Sequence, residues 1–281
     1  MQIIRERDAL RRAVDVLRGT GGAVALVPTM GALHAGHMTL VAEARRRAPH
    51  IVASIFVNPA QFGPNEDLDT YPRREAEDAA MLEAAGTALL WAPRPEVMYP
   101  PGFATNVSVS GISDGLCGAA RPGHFDGVAT VVAKLLNQVR PDVALFGEKD
   151  YQQLAVIRRM AADLDLGVEI VGVPTVRDHD GLALSSRNLY LSTEERAIAR
   201  ALPSVADRVL WSLASADDAR EILDGIRSWL LEAGWASVDY VELRDAATLA
   251  PLSRVDRPAR LLVAGRVGRT RLIDNFEVKP A

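Results

Sequence analysis

Residues Ile51 to Val57 are apolar almost without interruption and stop at Asn58-Pro59. A strand of that kind has no face to offer water, so it belongs in a parallel sheet covered on both sides by helices. Shorter runs at Ala23 to Val27 and Asp142 to Phe146 read the same way. Further strands are expected at Ala88 to Trp91 and Val168 to Val173 and, from its alternation, at Thr105 to Val109. Helical periodicity fills the spaces between them, at Asp8 to Arg18, from near His37, at about Arg74 to Ala85, at Phe125 to Val139 and from Tyr151 to about Leu164. Strands alternating with helices in this way predict an α/β fold built on a doubly wound parallel sheet.

Beyond about residue 175 the pattern changes. Two helices, roughly Ser192 to Leu213 and Ala216 to Ala233, lead into strands at Val238 to Leu243, Arg260 to Val267 and Arg269 to Val278, the last two joined at Gly268 as an antiparallel hairpin. The expected division is a larger domain over 1–174 and a smaller C-terminal α+β domain over 175–281.

Several classes of function are excluded by what the chain lacks. Its formal charge is −4 and its densest basic cluster is Arg45-Arg46-Arg47, which reads as a solvated helix face, so no nucleic-acid partner is expected. No apolar run approaches the ~18 residues of a membrane span, and the N-terminus has no apolar signal core. The single cysteine, Cys117, rules out an intramolecular disulfide framework and fits a reducing cytoplasm. It reads as a passive small residue or a reactive thiol.

In doubly wound sheets ligands sit at the carboxyl ends of the strands. Three loops take that position, at 28–37, 58–62 and 147–153, and they should converge on one crevice. The first, Pro28-Thr29-Met30-Gly31-Ala32-Leu33-His34-Ala35-Gly36-His37, joins a strand to a helix start. Unpaired backbone N–H groups and the positive end of the helix dipole collect there and suit phosphate. His34 and His37 flank Gly36 and add cationic or hydrogen-bonding side chains. As metal ligands the pair lacks a completing His or Cys cluster. As an adenylyl-transfer site it steadies charge on phosphates, while Gly36 lets an adenine ring approach the backbone. No G-x-x-x-x-G-K-[ST] occurs, and Gly19-Thr20-Gly21-Gly22 precedes a strand, so neither a P-loop nor a dinucleotide fingerprint is present.

The third loop, Gly147-Glu148-Lys149-Asp150-Tyr151-Gln152-Gln153, brings a lysine able to neutralise a triphosphate. Gln153 lies one helical turn on, and Gln61 faces the same region from the second loop. Two neutral amides suggest a ligand with hydroxyl and carbonyl groups. Asp180 to Asn188 reads either as a linker or as a hydroxyl-rich loop whose Arg187 closes over the β- and γ-phosphates. The polar stretch 62–73 is unusually long for a connection without a job.

Taken together, P-T-M-G-A-L-H-A-G-H, F-V-N-P-A-Q-F, R-P-G-H-F, F-G-E-K-D-Y-Q-Q and D-G-L-A-L-S-S-R-N-L-Y-L, in this order, resemble the pantoate–β-alanine ligase (AMP-forming) family, within the wider H-x-G-H nucleotidylyltransferase group. The resemblance covers nearly the whole chain. It implies a Rossmann-like sheet and condensation of (R)-pantoate with β-alanine through a pantoyl adenylate, with ATP as substrate, Mg²⁺ on the phosphates and a homodimer. By motif, Met30, Gly31, Ala32, Leu33, His34, Ala35, Gly36 and His37 would line the ATP site, joined by Gly147, Glu148, Lys149, Asp150, Val176, Leu184, Ser185, Ser186 and Arg187. His37, His34, Lys149 and Arg187 would be catalytic, Gln61 and Gln153 would hold pantoate, Gln61 would also meet β-alanine, and no protein metal site is implied. Arg121 and His124 would support the crevice, and 62–73 would form its lid. Ala60 and Leu184 stand where the family often has Met, and Cys117 where it often has Glu. The alternative is a nucleotidylyltransferase that leaves AMP on its product.

Overall fold

A computed structural model describes residues 1–64 and 66–281; Asn65, inside the expected lid, lies outside the described residues. Among the described residues, nine strands fall in two sheets. In chain order the first part runs β1 (Gln2–Ile4), α1 (Arg7–Gly19), β2 (Val24–Thr29), α2 (Ala35–Arg47), β3 (His50–Ile55), α3 (Glu75–Ala84), β4 (Leu89–Trp91), α4 (Pro95–Met98), α5 (Leu116–Ala120), α6 (His124–Val139), β5 (Val143–Gly147), α7 (Tyr151–Asp163) and β6 (Glu169–Val173). The second part runs α8 (Thr193–Ala199), α9 (Ala201–Ser215), α10 (Arg220–Glu232), β7 (Ser237–Asp245), β8 (Ala259–Val267) and β9 (Thr270–Val278).

The first six strands form a parallel sheet in the order β1-β4-β3-β2-β5-β6. Its apolar strands divide their side chains between two cores. Val24 and Leu26 of β2 and Ala144 and Phe146 of β5 pack with α1, α6 and α7. Ala25, Val27, Val143 and Leu145 pack with α2 and α3 on the other face. Burying both faces is why these strands carry no polar alternation, and each large aliphatic side chain so buried contributes about 1.5–3 kcal/mol. The doubly wound α/β sheet is therefore as expected.

The antiparallel sheet β7-β8-β9 turns Tyr240, Leu262 and Ala264 toward the first core and Val241, Leu243, Leu261 and Val263 toward a third core with α9 and α10. Val267 pairs with Thr270 across the tight turn at Gly268, whose φ of 52° suits glycine.

Three expectations change. Thr105 to Val109 is not a strand: the Val107 N–H donates to Thr130 Oγ1 at 2.9 Å on α6, so a side chain replaces the sheet partner. The long helix expected from Ser192 breaks between Ala199 and Ala201, where Pro203 has no N–H to donate back to Ala199. The helix expected from near His37 begins at Ala35.

Candidate active site

The order of strands reverses between β2 and β5, the switch point at which an open α/β sheet forms its crevice. The ends of β2, β3 and β5 open there on a cavity of about 240 Å³. His34, His37, Gln61, Lys149, Gln153 and Arg187 all line it. It adjoins a wider cleft of about 910 Å³ toward the antiparallel sheet, and Lys149, Gln153, Ser185 and Arg187 border both.

The turn from β2 to α2 is built around a carboxylate that the sequence reading did not single out. Gly31 and Ala32 lie at φ 84° and 50°, in the left-handed region. Asp78 of α3, buried, accepts the Ala32 and Leu33 N–H groups at 2.8 Å each and holds the chain in that shape. Past the turn, His34 caps α2. Its Nδ1 accepts the Gly36 N–H at 3.2 Å, and His37 Nδ1 accepts the His34 N–H at 3.3 Å. The His37 and Met38 N–H groups donate to the His34 carbonyl. The helix start is thus less open to an anion than expected, because its own histidines consume most of its donors.

What those histidines offer instead is set by the same bonds. With each Nδ1 accepting, the ring proton is assigned to Nε2. Burial, reinforced by the nearby Lys149 charge, lowers His34 to about 4. Burial and then the adjacent His34 lower His37 to about 3. Both rings, 4.1 Å apart between centroids, are neutral Nε2–H donors at pH 7. Gly36 is needed for this fold-back, since a Cβ there would sit 2.9 Å from His34 Cε1.

The second loop presents Gln61 through a relay of buried polar groups. The Tyr99 hydroxyl donates to Asn58 Oδ1 at 2.7 Å, and Asn58 Nδ2 lies 3.1 Å from both Gln61 Oε1 and the Gly127 carbonyl. His124 Nδ1 donates to the Gln61 carbonyl at 2.9 Å, and Arg121 donates to His124 Nε2 at 2.8 Å. Burial and then the Arg121 guanidinium lower His124 to about 4, which fits that neutral tautomer. Helix α6 reaches this close only because Gly127 has no side chain: a Cβ would overlap the Ala60 carbonyl and lie 2.7 Å from Gln61 Cα.

Lys149 follows β5, and the nearest carboxylate to its ammonium is Asp150, at 3.8 Å. Arg187 sits in a five-residue 3₁₀ segment capped by the Ser185 hydroxyl. Its guanidinium is held by both oxygens of Asp67, at 2.8 and 3.0 Å. The polar loop is tied down at other points as well. Glu66 takes two 2.6 Å bonds from Arg121, the Tyr71 hydroxyl lies 3.4 Å from Ser186 Oγ, and Tyr190 donates to the Thr70 carbonyl. Burial raises Glu66, but Arg121 outweighs it and brings the carboxyl to about 2.

Of the residues expected at the nucleotide, the structure brings Met30, His34, Gly36, His37, Gly147, Lys149, Asp150, Val176, Leu184, Ser185, Ser186 and Arg187 to the cavity. Gly31, Ala32, Leu33 and Ala35 do not line it, and Glu148 turns toward Arg260 on β8. Gln152 borders only the wider cleft and is spent on α5 and the loop before it, accepting the Cys117 N–H at 3.0 Å and donating to the Ile112 and Gly115 carbonyls. Cys117 is buried against Tyr240, its Sγ 3.1 Å from the hydroxyl. The sequence reading missed Asn58, Asp78 and Gly127. The Asn58-Pro59 boundary was visible, but nothing local identified the partners of the other two.

Comparison with known proteins supplies a family for this geometry. A family model described as pantoate-beta-alanine ligase matches residues 2–277. The chain is similar to a pantothenate synthetase of Novosphingobium aromaticivorans, at 63% identity with 100% of both chains covered. Its fold is similar to the crystal structure of a pantothenate synthetase from Thermus thermophilus, at 49% identity and a TM-score of 0.92 over 100% of both chains. It is also similar to a pantoate-beta-alanine ligase from Francisella tularensis complexed with beta-gamma ATP and beta-alanine. That match has 32% identity and a TM-score of 0.82, covering 98% of this chain and 97% of the other.

Proposed function

The chain belongs to the pantoate–β-alanine ligase family, and from that premise we infer how its crevice carries the reaction. The enzyme condenses pantoate with β-alanine at the expense of ATP, giving pantothenate, AMP and pyrophosphate through pantoyl adenylate. The observation that carries the assignment of residues is the meeting of two kinds of group in one cavity: amides at Gln61 and Gln153, and phosphate-directed donors at His34, His37, Lys149 and Arg187.

In this reading pantoate lies between Gln61 and Gln153, with Gln61 oriented by Asn58 and His124. ATP lies along the β2–α2 turn, the Gly147–Asp150 segment and the Leu184–Arg187 loop. A pantoate carboxylate oxygen attacks the α-phosphorus, the bond to the bridging oxygen breaks, and pyrophosphate leaves with the electron pair. Charge builds on the phosphate oxygens as this happens. The neutral Nε2–H groups of His34 and His37 donate to it without releasing a proton, and Lys149 and Arg187 supply fixed positive charge. Preorganised donors of this kind are each worth about 10²–10³ in rate. The amine of β-alanine then attacks the acyl carbon next to Gln61, AMP leaves, and the amine proton is lost to solvent.

Mg²⁺ is part of the proposal and, when bound, neutralises triphosphate charge. Mg²⁺ characteristically keeps several waters and is held mainly by phosphate, and the half-exposed Asp150 carboxylate lies nearby. The proposal also assigns residues 1–174 to ATP and pantoate and 175–281 to closure over the nucleotide, with Thr175, Val176 and the Leu184–Arg187 loop as the parts that reach the cavity. It includes a homodimer and a cytoplasmic setting; no described helix is long and apolar enough to cross a membrane.

The test is pantoate-dependent exchange of pyrophosphate into ATP, with free AMP measured when each substrate is omitted in turn. Lys149→Ala and His37→Ala are expected to lower exchange at least about 10²-fold in folded protein. Exchange near the wild-type rate in either variant removes that residue from the assignment, and AMP retained on the product favours nucleotidyl transfer.

A further inference from the structure

We propose that Asn275, on the antiparallel sheet, is a positioning residue for Lys149; the inference rests on the role given to Lys149 above. Asn275 is buried on β9, far in sequence from the crevice loops. Its Nδ2 donates to the carbonyls of Glu148 at 2.8 Å and Lys149 at 3.0 Å. A primary amide carries two N–H donors on one atom beside an acceptor, and all three are used here. The acceptor, Oδ1, takes a bond from Arg260 Nη1 at 3.1 Å. Arg260 in turn donates to Glu148 Oε2 at 3.2 Å and stacks 4.3 Å over the Tyr151 ring. The Tyr151 hydroxyl donates to the Ala246 carbonyl at 2.9 Å. Residues 148, 149 and 151 are thus each anchored to the second sheet.

The anchoring matters because the lysine side chain does not fix its own place. Its ammonium lies 3.8 Å from Asp150 Oδ1, too far for a hydrogen bond. Where the charge sits is therefore governed by the main chain of the Glu148–Asp150 turn, and Asn275 grips that main chain at two successive carbonyls. Asp274 beside it is paired with Arg177 at 2.6 and 3.0 Å, so the strand that carries the amide is itself tied to the chain leaving β6. Displacing a reacting group by about 1 Å costs on the order of 10²-fold in rate.

The test uses the full-length enzyme and pantoate-dependent pyrophosphate exchange. Asn275→Ala removes both donors. Asn275→Asp keeps the shape but turns an oxygen toward the two carbonyls. Both are expected to lower kcat by roughly 10–100-fold, with the KM for pantoate changed by less than about threefold. Combined with Lys149→Ala, Asn275→Ala is expected to add less than about a twofold loss, because positioning an absent ammonium has no value. An unchanged kcat in a folded Asn275 variant overturns the proposal. So does an equal fold-loss with and without Lys149, which is what a purely structural role produces. Asn275→Ser serves in the same cycle if the alanine variant does not fold. Wild-type exchange by Lys149→Ala alone overturns the site assignment instead, so the two failures are distinct.

Discussion

Replacing Asp78 tests whether the β2–α2 turn is held by its carboxylate. The side chain is 2% exposed and accepts two backbone N–H groups. In Asp78→Ala both donors lose their partner inside the protein. Each buried unpaired N–H costs about 1–3 kcal/mol, so the variant should lose roughly 2–6 kcal/mol. Asp78→Asn keeps one carbonyl oxygen but turns an NH₂ toward the second donor, and about 1.5–3 kcal/mol is expected. The effect on rate follows from Ala32, whose left-handed φ of 50° costs about 1–2 kcal/mol in a residue with a Cβ. Once the carboxylate is gone, Ala32 and Leu33 lose the bonds that hold this conformation, and the His34 and His37 rings are expected to move as the turn relaxes. Urea unfolding measures the first loss, and pyrophosphate exchange at saturating ATP and pantoate measures the second, expected near 10–100-fold. An Asp78→Asn enzyme with an unaltered unfolding midpoint and an unaltered exchange rate would refute the reasoning.

Two more outcomes are expected. His34, His37 and His124 titrate near 4, 3 and 4 in the folded chain against an ordinary 6.5. Folded values below the unfolded ones mean that the unfolded chain binds protons first, so this part of stability is complete above pH 6.5 and falls as pH drops toward 4. Each histidine contributes a slope of up to about 1.4 kcal/mol per pH unit in that window, so the urea midpoint should be lower at pH 5 than at pH 7; an equal or higher midpoint contradicts the assigned neutrality. Asp67→Asn releases Arg187 from a carboxylate that competes with phosphate for its guanidinium, so the KM for ATP should fall severalfold; a raised KM would make Asp67 a support for Arg187 and not a competitor.

The parallel sheet could be read from the sequence because burial on both faces leaves a local signature. Ile51 to Val57 needs no knowledge of its neighbours to declare itself. The same holds for the crevice loops, whose chemistry follows the strands directly. What escapes a sequence reading depends on partners distant in the chain. Asp78 looks like one more charge in an acidic helix start until the turn at Ala32 and Leu33 is folded against it. Asn275 looks like an ordinary polar strand residue until the Glu148 carbonyl arrives beneath it. The segment at 105–109 alternates like a strand, but alternation cannot say whether another edge is there to pair with. In the helix broken before Pro203 the proline is plain to see, yet the apolar periodicity runs straight through it and hides the break.

The closeness of α6 to the second loop bears on how the enzyme could be redesigned. Because main chain meets main chain at Gly127, that contact beside the cavity has no side chain to trim. A search for variants that accept a bulkier acid gains nothing by mutating this position. The adjustable boundary lies at Met30 and, one and two turns further along the same face of α6, at Val131 and Leu135, whose apolar side chains line the cavity. Substrate range in this scaffold is therefore closed to change where α6 touches the second loop and open to it one turn further along the same helix.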